Sequence, residues 1–357
     1  MNRLLVAAGL ALAAPAALAA QATQQPDTSA HVTLGGFVDG YYAYDFGRPP
    51  GRARVFTTQA ARHDELAVNL AFVEARYAAP QVRARIALQA GTSVQANYAA
   101  EPDSLAGTTN FLPLVQEATA GFQAAPSLWI DGGIFFSHIG SEGWISSDNP
   151  TYTRSLIAEY SPYYEAGVKA TWQAAPSLVA QLDVVNGWQN ITENNGGKAA
   201  GVRLDWSVAP AVTLSYSNFV GREASAATGE QGTRVYNDVS AKWAAGAAVV
   251  TGTVDVGRQS GDTWYGASLL GRAPVASRVR VTGRVERFDD PDGVVAPGLR
   301  TWGASAGVDV SPVPNVYWRT ELRSLFGAHD AVFPSRGGDG GLSTSNTVIV
   351  TSLAVRF

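Results

Sequence analysis

The chain has 357 residues, no cysteine and a formal net charge of −4. That balance excludes a general nucleic-acid binder, and the lack of cysteine excludes disulfide staples and thiol chemistry. Only 16% of residues are charged, while 37 are glycine and 10% are aromatic, a composition that suits strands better than helices.

In chain order, residues 1–20 come first. Arg3 precedes an apolar run from Leu4 to Leu18, and Ala17-Leu18-Ala19 supplies a small-x-small cleavage pattern. This predicts a secretory signal peptide over 1–20, cleaved near Ala19 or Ala20. Residues 21–30 then read as a short periplasmic segment, and 31–357 as one further unit. No later run has the roughly 18 apolar residues that a spanning helix needs.

Past that point the chain alternates. Val82, Ala84, Ile86, Leu88 and Ala90 oppose Arg83, Arg85 and Gln89. The stretch FQAAPSLWI (122–130) returns as WQAAPSLVA (172–180). Before Pro176, alternation holds from Leu156 to Trp172; after it, Leu178, Ala180, Leu182 and Val184 oppose Gln181 and Asp183. Val279, Val281 and Val285 oppose Arg278, Arg280, Thr282, Arg284 and Glu286. Val316, Trp318 and Leu322 oppose Tyr317, Arg319, Glu321 and Arg323. Period two places one set on each face of a strand.

The repeated stretch is therefore punctuation, a tight turn that carries no chemistry. The same punctuation recurs as AAPQV (78–82), VAPAV (208–212), WAAGAAV (243–249), RAPVA (272–276) and SPVPNV (311–316). Between these turns lie longer polar connections, at 47–64, 99–112, 139–153, 189–196, 224–231, 258–262, 290–298 and 328–342. Short and long connections alternate, which gives about sixteen strands. Segments of about 12–19 residues exceed the roughly five or six of soluble strands and suit tilted spanning strands with extensions. The fold class expected is all-β: a transmembrane antiparallel up-and-down barrel with short periplasmic turns and long extracellular loops.

Alternation alone would equally fit a soluble sandwich. The aromatics discriminate. Trp129, Trp172, Trp206, Trp243 and Trp318 all lie close to a short turn, where amphipathic rings belong at a membrane–water boundary. A second set, including Tyr41, Tyr42, Tyr44, Phe46, Tyr98, Trp264 and Tyr265, lies near the long loops. The chain stops at Leu353-Ala354-Val355-Arg356-Phe357, which resembles the C-terminal insertion signal of Gram-negative outer-membrane barrels, with Phe357 as its terminal aromatic.

LGGFVDGYYAYDFGRP (34–49), NLAFVEARY (69–77), ALQAGTSVQANY (87–98), GIFFSHIGSEGW (133–144) and TYTRSLIAEYSPYYEAGVKATW (151–172) resemble outer-membrane β-barrel porins of the OmpL-like type. VVNGWQN (184–190), LSYSNFVG (214–221) and GRVERFDDPD (283–292) extend the resemblance over nearly the whole chain. It implies an integral outer-membrane pore and brings no catalytic residues.

The candidate pore-lining residues are Arg83, Arg85, Glu117, Asp183, Asp205, Arg278, Arg280, Arg284, Asp309, Arg319, Glu321 and Arg323. A ring of arginines near the periplasmic mouth would favour anions. The alternative is cross-strand pairing with Asp309, Glu321, Asp205 or Glu117. None of His31, His63, His138 and His329 has a neighbour at metal-ligand spacing. Ser137-His138 is expected on opposite strand faces, without an orienting third group. FDDPDG (288–293) reads as a polar turn, and RGGDGG (336–341) as a flexible loop.

The function expected is passive diffusion of small hydrophilic solutes, without cofactor, metal or enzymatic chemistry. Loop 99–112 or 139–153 is the segment expected to fold inward and narrow the pore. The alternative is a non-conducting structural or adhesive barrel that presents its loops. Partners implied are outer-membrane lipid and lipopolysaccharide, the barrel-assembly machinery through the C-terminal strand, and the solutes; a homotrimer is compatible with this architecture.

Overall fold

Alternating side chains put one face of each strand toward lipid and one toward a lumen, and a closed sheet leaves no unpaired edge. The computed structural model describes residues 30–296, 298–335 and 341–357. The expected signal peptide, and all but Ala30 of the expected periplasmic segment, lie outside the described residues, as does most of RGGDGG. Sixteen strands form a closed antiparallel barrel. They are β1 (His31–Asp45), β2 (Leu66–Ala78), β3 (Val82–Ala90), β4 (Val115–Ala125), β5 (Leu128–Phe136), β6 (Tyr164–Ala175), β7 (Leu178–Val185) and β8 (Ala199–Ala209). The second half comprises β9 (Val212–Ala224), β10 (Gln231–Ala245), β11 (Ala248–Gln259), β12 (Asp262–Ala276), β13 (Val279–Asp289), β14 (Arg300–Val310), β15 (Val316–Phe326) and β16 (Asn346–Arg356). Each strand pairs with its sequence neighbours. β1 also pairs with β16, from Phe37↔Arg356 to Asp45↔Val348, which closes the barrel. Backbone bonds between Gly36 and Phe357, 2.8 and 3.0 Å, extend that seam to the last residue. A Cβ on Gly36 would run into the Phe357 ring, so the terminal aromatic needs glycine there.

The repeated QAAPSL has a local physical cause. In both copies the register slips by one residue before the proline, between Gln123 and Ala125 and between Gln173 and Ala175. The bulge sharpens the twist, and proline supplies a fixed φ where no ladder N–H is needed. The glutamine amide then donates to a turn carbonyl: Gln123 to Pro126 at 2.8 Å, Gln173 to Ala175 at 2.6 Å.

Two segments differ from the sequence reading. β12 continues through Pro274 to Ala276, and the turn falls at Ser277-Arg278 rather than within 272–276. Pro274 is accommodated because the register shifts between it and Ala276. The alternation read as strand from Leu156 begins instead with a short helix. α1 is Thr92–Asn97 and α2 is Leu156–Glu159, and Ser155 caps α2 by accepting from the Ala158 N–H. The strand starts only at Tyr164. Four residues with mixed apolar content satisfy a two-residue and a helical period equally, and tertiary burial decides.

The outer wall carries Val82, Ile86, Leu182, Val254, Val285 and Leu322, all exposed. Packed apolar residues sit inside. A cluster with Phe135, Leu156, Phe219, Trp264, Phe288 and Phe333 fills part of the lumen toward the long loops. A second, with Phe37, Leu70, Tyr98, Trp144 and Tyr164, lies around β1, β2 and β6, where the Tyr98 and Tyr164 rings stack at 4.1 Å.

Candidate functional site

The lumen is the polar interior of this barrel, and the loop between β5 and β6 does most to shape it. Residues 137–163, between β5 and β6, run inward and reach the opposite wall. Arg319 on β15 donates to three carbonyls of this loop, Ser146 at 2.6 Å, Asn149 at 3.3 Å and Pro150 at 2.7 Å. Arg284 on β13 donates to Thr151 Oγ1 at 2.8 Å and to Thr153 O at 2.6 Å. Glu321 accepts the Thr153 N–H at 2.8 Å, and Glu286 the Leu156 N–H at 2.5 Å. On β1, Asp39 accepts from Ser146 Oγ at 2.8 Å and Tyr152 Oη at 3.3 Å. The loop segment from Thr151 to Leu156 is at most 1% exposed. Of the two segments expected to fold inward, 139–153 is the one that crosses the lumen.

These strand side chains also hold one another. Arg319 pairs with Asp309 at 2.9 Å, Arg284 with Glu286 at 3.1 Å and Glu321 at 3.4 Å, and Arg323 with Glu286 at 2.9 Å. Burial of such charges is tolerated only where each finds a partner. The carboxylates here satisfy both the arginines and the loop amides.

On the opposite wall near the short turns, the arginines are also paired. Arg83 reaches Asp131, Nε to Oδ1 at 2.7 Å, across the intervening β4. It can do so because Gly121 stands between them, level with both, and a Cβ there would overlap the Asp131 carboxylate. Arg85 lies between Glu74, at 2.7 Å, and Glu117. Asp205 is claimed by Arg203 at 2.8 Å, and Arg203 also donates to the loop carbonyls of His138 and Gly140. Arg278 departs from the pore-lining set: it sits in the turn itself, exposed, donating to Pro312 O at 2.6 Å.

One wall is different. By alternation with the exposed Trp243, Leu269 and Val281, the inward residues of β10, β12 and β13 include Lys242, Arg272 and Arg280. Arg280 donates to Ser311 Oγ at 3.1 Å, and Asp309 opposite it is held by Arg319. Among the described residues, these three cations form no ion pair. Their alternation was visible in the sequence, but Lys242 and Arg272 were not singled out there.

His138 lies at the root of the loop. Its Nδ1 is 3.0 Å from Glu165 and 3.7 Å from Asp183, and its Nε2 is 2.7 Å from the Asn218 carbonyl. Burial alone would lower its pKa, but the two carboxylates outweigh it and raise it to about 9. The three ligand atoms are close enough to suggest a metal. A doubly protonated imidazolium accounts for both ring nitrogens without an ion. Ser137 also donates to Glu165, at 3.0 Å, so a shared carboxylate orients both residues, contrary to the sequence expectation. The Ser137 hydroxyl is thereby committed to Glu165 rather than to the imidazole, and no nucleophile–base pair results.

Trp172, Trp206, Trp243 and Trp318 are exposed on the outer wall near the short turns. Trp129 turns inward instead: it pairs with Thr171, and the Arg83 guanidinium lies 4.4 Å over its ring. Its register, one residue off the outward Leu128–Trp172 pair, sets that direction. Of the second aromatic set, Phe46 and Tyr265 are exposed, while Tyr41, Tyr98 and Trp264 are buried inside. In FDDPDG the Asp290 carboxylate accepts the N–H groups of Val294, Val295 and Ala296 at 2.7–2.9 Å, which closes the turn.

The chain matches the family described as Putative beta-barrel porin-2, OmpL-like, over residues 31–357. Among curated proteins none matches the sequence. Several solved structures share the fold. The trimer form of OmpT, an outer membrane protein of Vibrio cholerae, aligns at TM-score 0.56 and 10% identity, over 92% of this chain and all of that one. The anion-selective porin from Comamonas acidovorans aligns at 0.56 and 14%, over 92% and 100%. The outer membrane channel DcaP of Acinetobacter baumannii aligns at 0.57 and 12%, over 94% and 100%. With its closed sixteen-strand barrel and family match over almost all of the described chain, the protein belongs to the OmpL-like beta-barrel porin-2 family of outer-membrane, porin-like barrels.

Proposed function

We propose that the protein is a narrow passive channel for small hydrophilic solutes, constricted by the 137–163 loop and biased toward anions. The observation that carries this reading is the polar, closed sixteen-strand lumen crossed by one latched loop. Barrels of about sixteen strands are wide enough for an aqueous lumen, so the width left by the loop sets the size limit. The bias comes from Lys242, Arg272 and Arg280, which form no ion pair among the described residues, rather than from Arg83 and Arg85, whose charge is neutralised by carboxylates. A likeness in fold to an anion-selective porin is consistent with this.

The exposed tryptophans would mark the periplasmic interface with lipid, with lipopolysaccharide around the other rim. Phe357, held against Gly36 at the seam, would present the C-terminal strand to the barrel-assembly machinery. A homotrimer is proposed by analogy with the OmpT trimer.

A second reading has one observation in its favour. The apolar cluster around Phe219, Trp264 and Phe288 fills part of the lumen toward the long loops, as a non-conducting, loop-presenting barrel would require. Liposome swelling separates the two. The channel reading expects entry of monosaccharides and exclusion of trisaccharides. No swelling with any solute, from a barrel shown to be folded by heat-modifiable migration, would favour the second.

A further inference from the structure

The connection between β1 and β2 was not among the segments expected to fold inward, yet its tip is buried: Gln59 and Ala60 are both 0% exposed. Its backbone is strained at regular intervals. Arg48, Arg52, Phe56, Ala60 and Asp64, every fourth residue, all have φ between +51° and +62°. They are five of the nine non-glycine residues with positive φ among the described residues, so the strain is concentrated here. The left-handed region crowds Cβ against the following carbonyl oxygen, and a bulky side chain such as Phe56 rarely enters it. Such strain persists only where surrounding contacts enforce it, and it gathers at segments that switch.

The enforcing contacts lie at two ends. At the base, the Asp64 N–H donates to Ala43 O at 2.7 Å and the Asp45 N–H to His63 Nδ1 at 2.9 Å, which ties the segment to β1. Within it, the Arg54 N–H reaches Ala61 O at 2.9 Å and the His63 N–H reaches Arg52 O at 2.8 Å, so it doubles back as one unit. At the tip, Ala60 N–H donates to Asn69 on β2 at 3.2 Å, and the other polar partners belong to the 137–163 loop. Glu159 accepts from Thr57 Oγ1 at 3.2 Å, from the Thr58 N–H at 2.9 Å and from Thr58 Oγ1 at 2.7 Å. The Gln59 amide donates to Trp144 O at 2.6 Å, and Arg154 donates to Thr58 Oγ1. Phe56 meets Phe333 edge-on at 5.5 Å, against the apolar cluster toward the long loops. The segment therefore reaches from the β1–β2 wall across the constricting loop to the β15–β16 connection.

We propose that residues 48–64 are a lid over the long-loop mouth, latched to the constricting loop by Glu159 and driven toward opening by its own backbone strain. Arg48 and Asp64, the outermost strained residues, stand between the lid and the strands that end at Asp45 and begin at Leu66, and they are its hinges. As a gate the lid rests on the channel reading above, but its movement is measurable without any current.

The chain has no cysteine, so one introduced thiol is a selective probe. Ala60→Cys places it at the buried tip, and a polymer-linked maleimide, scored by gel shift on the refolded barrel, reads how often the tip is released. Asp262→Cys, at the exposed start of β12, gives the rate for an open site. Ala60→Cys should react roughly tenfold slower or less than that. Thr58→Val keeps the side-chain shape and removes both Oγ1 bonds, and should speed labelling of Ala60→Cys about fivefold. In bilayer recording, Thr58→Val should open more often to the same full step. Ala60→Gly, which relieves one strained residue, should open about fivefold less often. Heat-modifiable migration checks that each variant folds. Labelling of Ala60→Cys at the Asp262→Cys rate would overturn the inference, because no lid would be closed. So would slow labelling unmoved by Thr58→Val, which would make the segment a fixed part of the wall. Openings as frequent or more frequent in Ala60→Gly would overturn the role of strain. Faster labelling by Thr58→Val in a barrel that passes no current would support the lid and remove the channel reading instead.

Discussion

Replacing Arg319 by lysine keeps one positive charge in the lumen and removes the planar fork. In the native chain that fork contacts four groups at once: Asp309 at 2.9 Å and the carbonyls of Ser146, Asn149 and Pro150. A lysine ammonium at the same Cα is a point donor and cannot span them. Two of the carbonyl bonds are short, at 2.6 and 2.7 Å, and hydrogen bonds from a charged group contribute about 1.5–3 kcal/mol each. The released carbonyls can turn to lumen water, so the net loss is nearer 3 kcal/mol than the full sum. At about 1.4 kcal/mol per tenfold, the population of loops detached at 146–150 rises about a hundredfold. Single-channel recording of Arg319→Lys should show larger, noisier steps with reversal potential little changed, because the charge is kept. Arg319→Met should show the same steps and a weaker anion bias. Unchanged conductance and noise in both, with the barrel folded, would refute the claim that this clamp holds the constriction.

Three further outcomes follow from single contacts. Gly121→Ala should separate Arg83 from Asp131 and leave a mostly buried carboxylate short of its partner, lowering unfolding stability in urea by roughly 3–5 kcal/mol; full stability would show that Arg83 can bridge another way. Gln173→Ala removes the amide that closes the second QAAPSL turn and should cost about 0.5–1.5 kcal/mol, read from the same urea transition. The His138 pKa of about 9 lies above the ordinary 6.5, so its contribution is complete below about pH 6.5 and is lost as pH rises through about 9. That amounts to on the order of 3 kcal/mol, and unfolding measured between pH 6 and 10 should show the decline in the native chain and not in His138→Gln.

The barrel was legible because its signal is local and repeated. A two-residue period runs along the strands and a bulge-proline turn recurs at four of the seven short turns, and each is complete within about ten residues. The inward direction of Arg284, Arg319, Glu321 and Arg323 followed from the same period. Their partners did not. Arg319 meets Pro150 and Arg284 meets Thr153 across more than 130 residues of sequence, and no pattern in either segment encodes that contact. The paired state of Arg83 depends on Gly121, two strands' worth of sequence away, whose lack of a side chain looks like any other glycine. Trp129 was misplaced because nearness to a turn was read without register, and one residue of register decides the face. Leu156–Glu159 was misread because four residues cannot separate the two periods. Lys242 was legible by its alternation with Trp243, but its significance lies in the absence of a partner, which only the assembled wall reveals.

The central claim is that this lumen conducts and favours anions through one wall whose cations form no ion pair among the described residues. The most direct measurement is planar-bilayer recording of the refolded chain across a salt gradient, beside a Lys242→Gln/Arg272→Gln double variant. The account predicts small ohmic steps, a reversal potential on the anion side, and its shift toward zero in the double variant with step size little changed. A folded barrel that passes no current, or a cation-side reversal potential unmoved by the double variant, would contradict it.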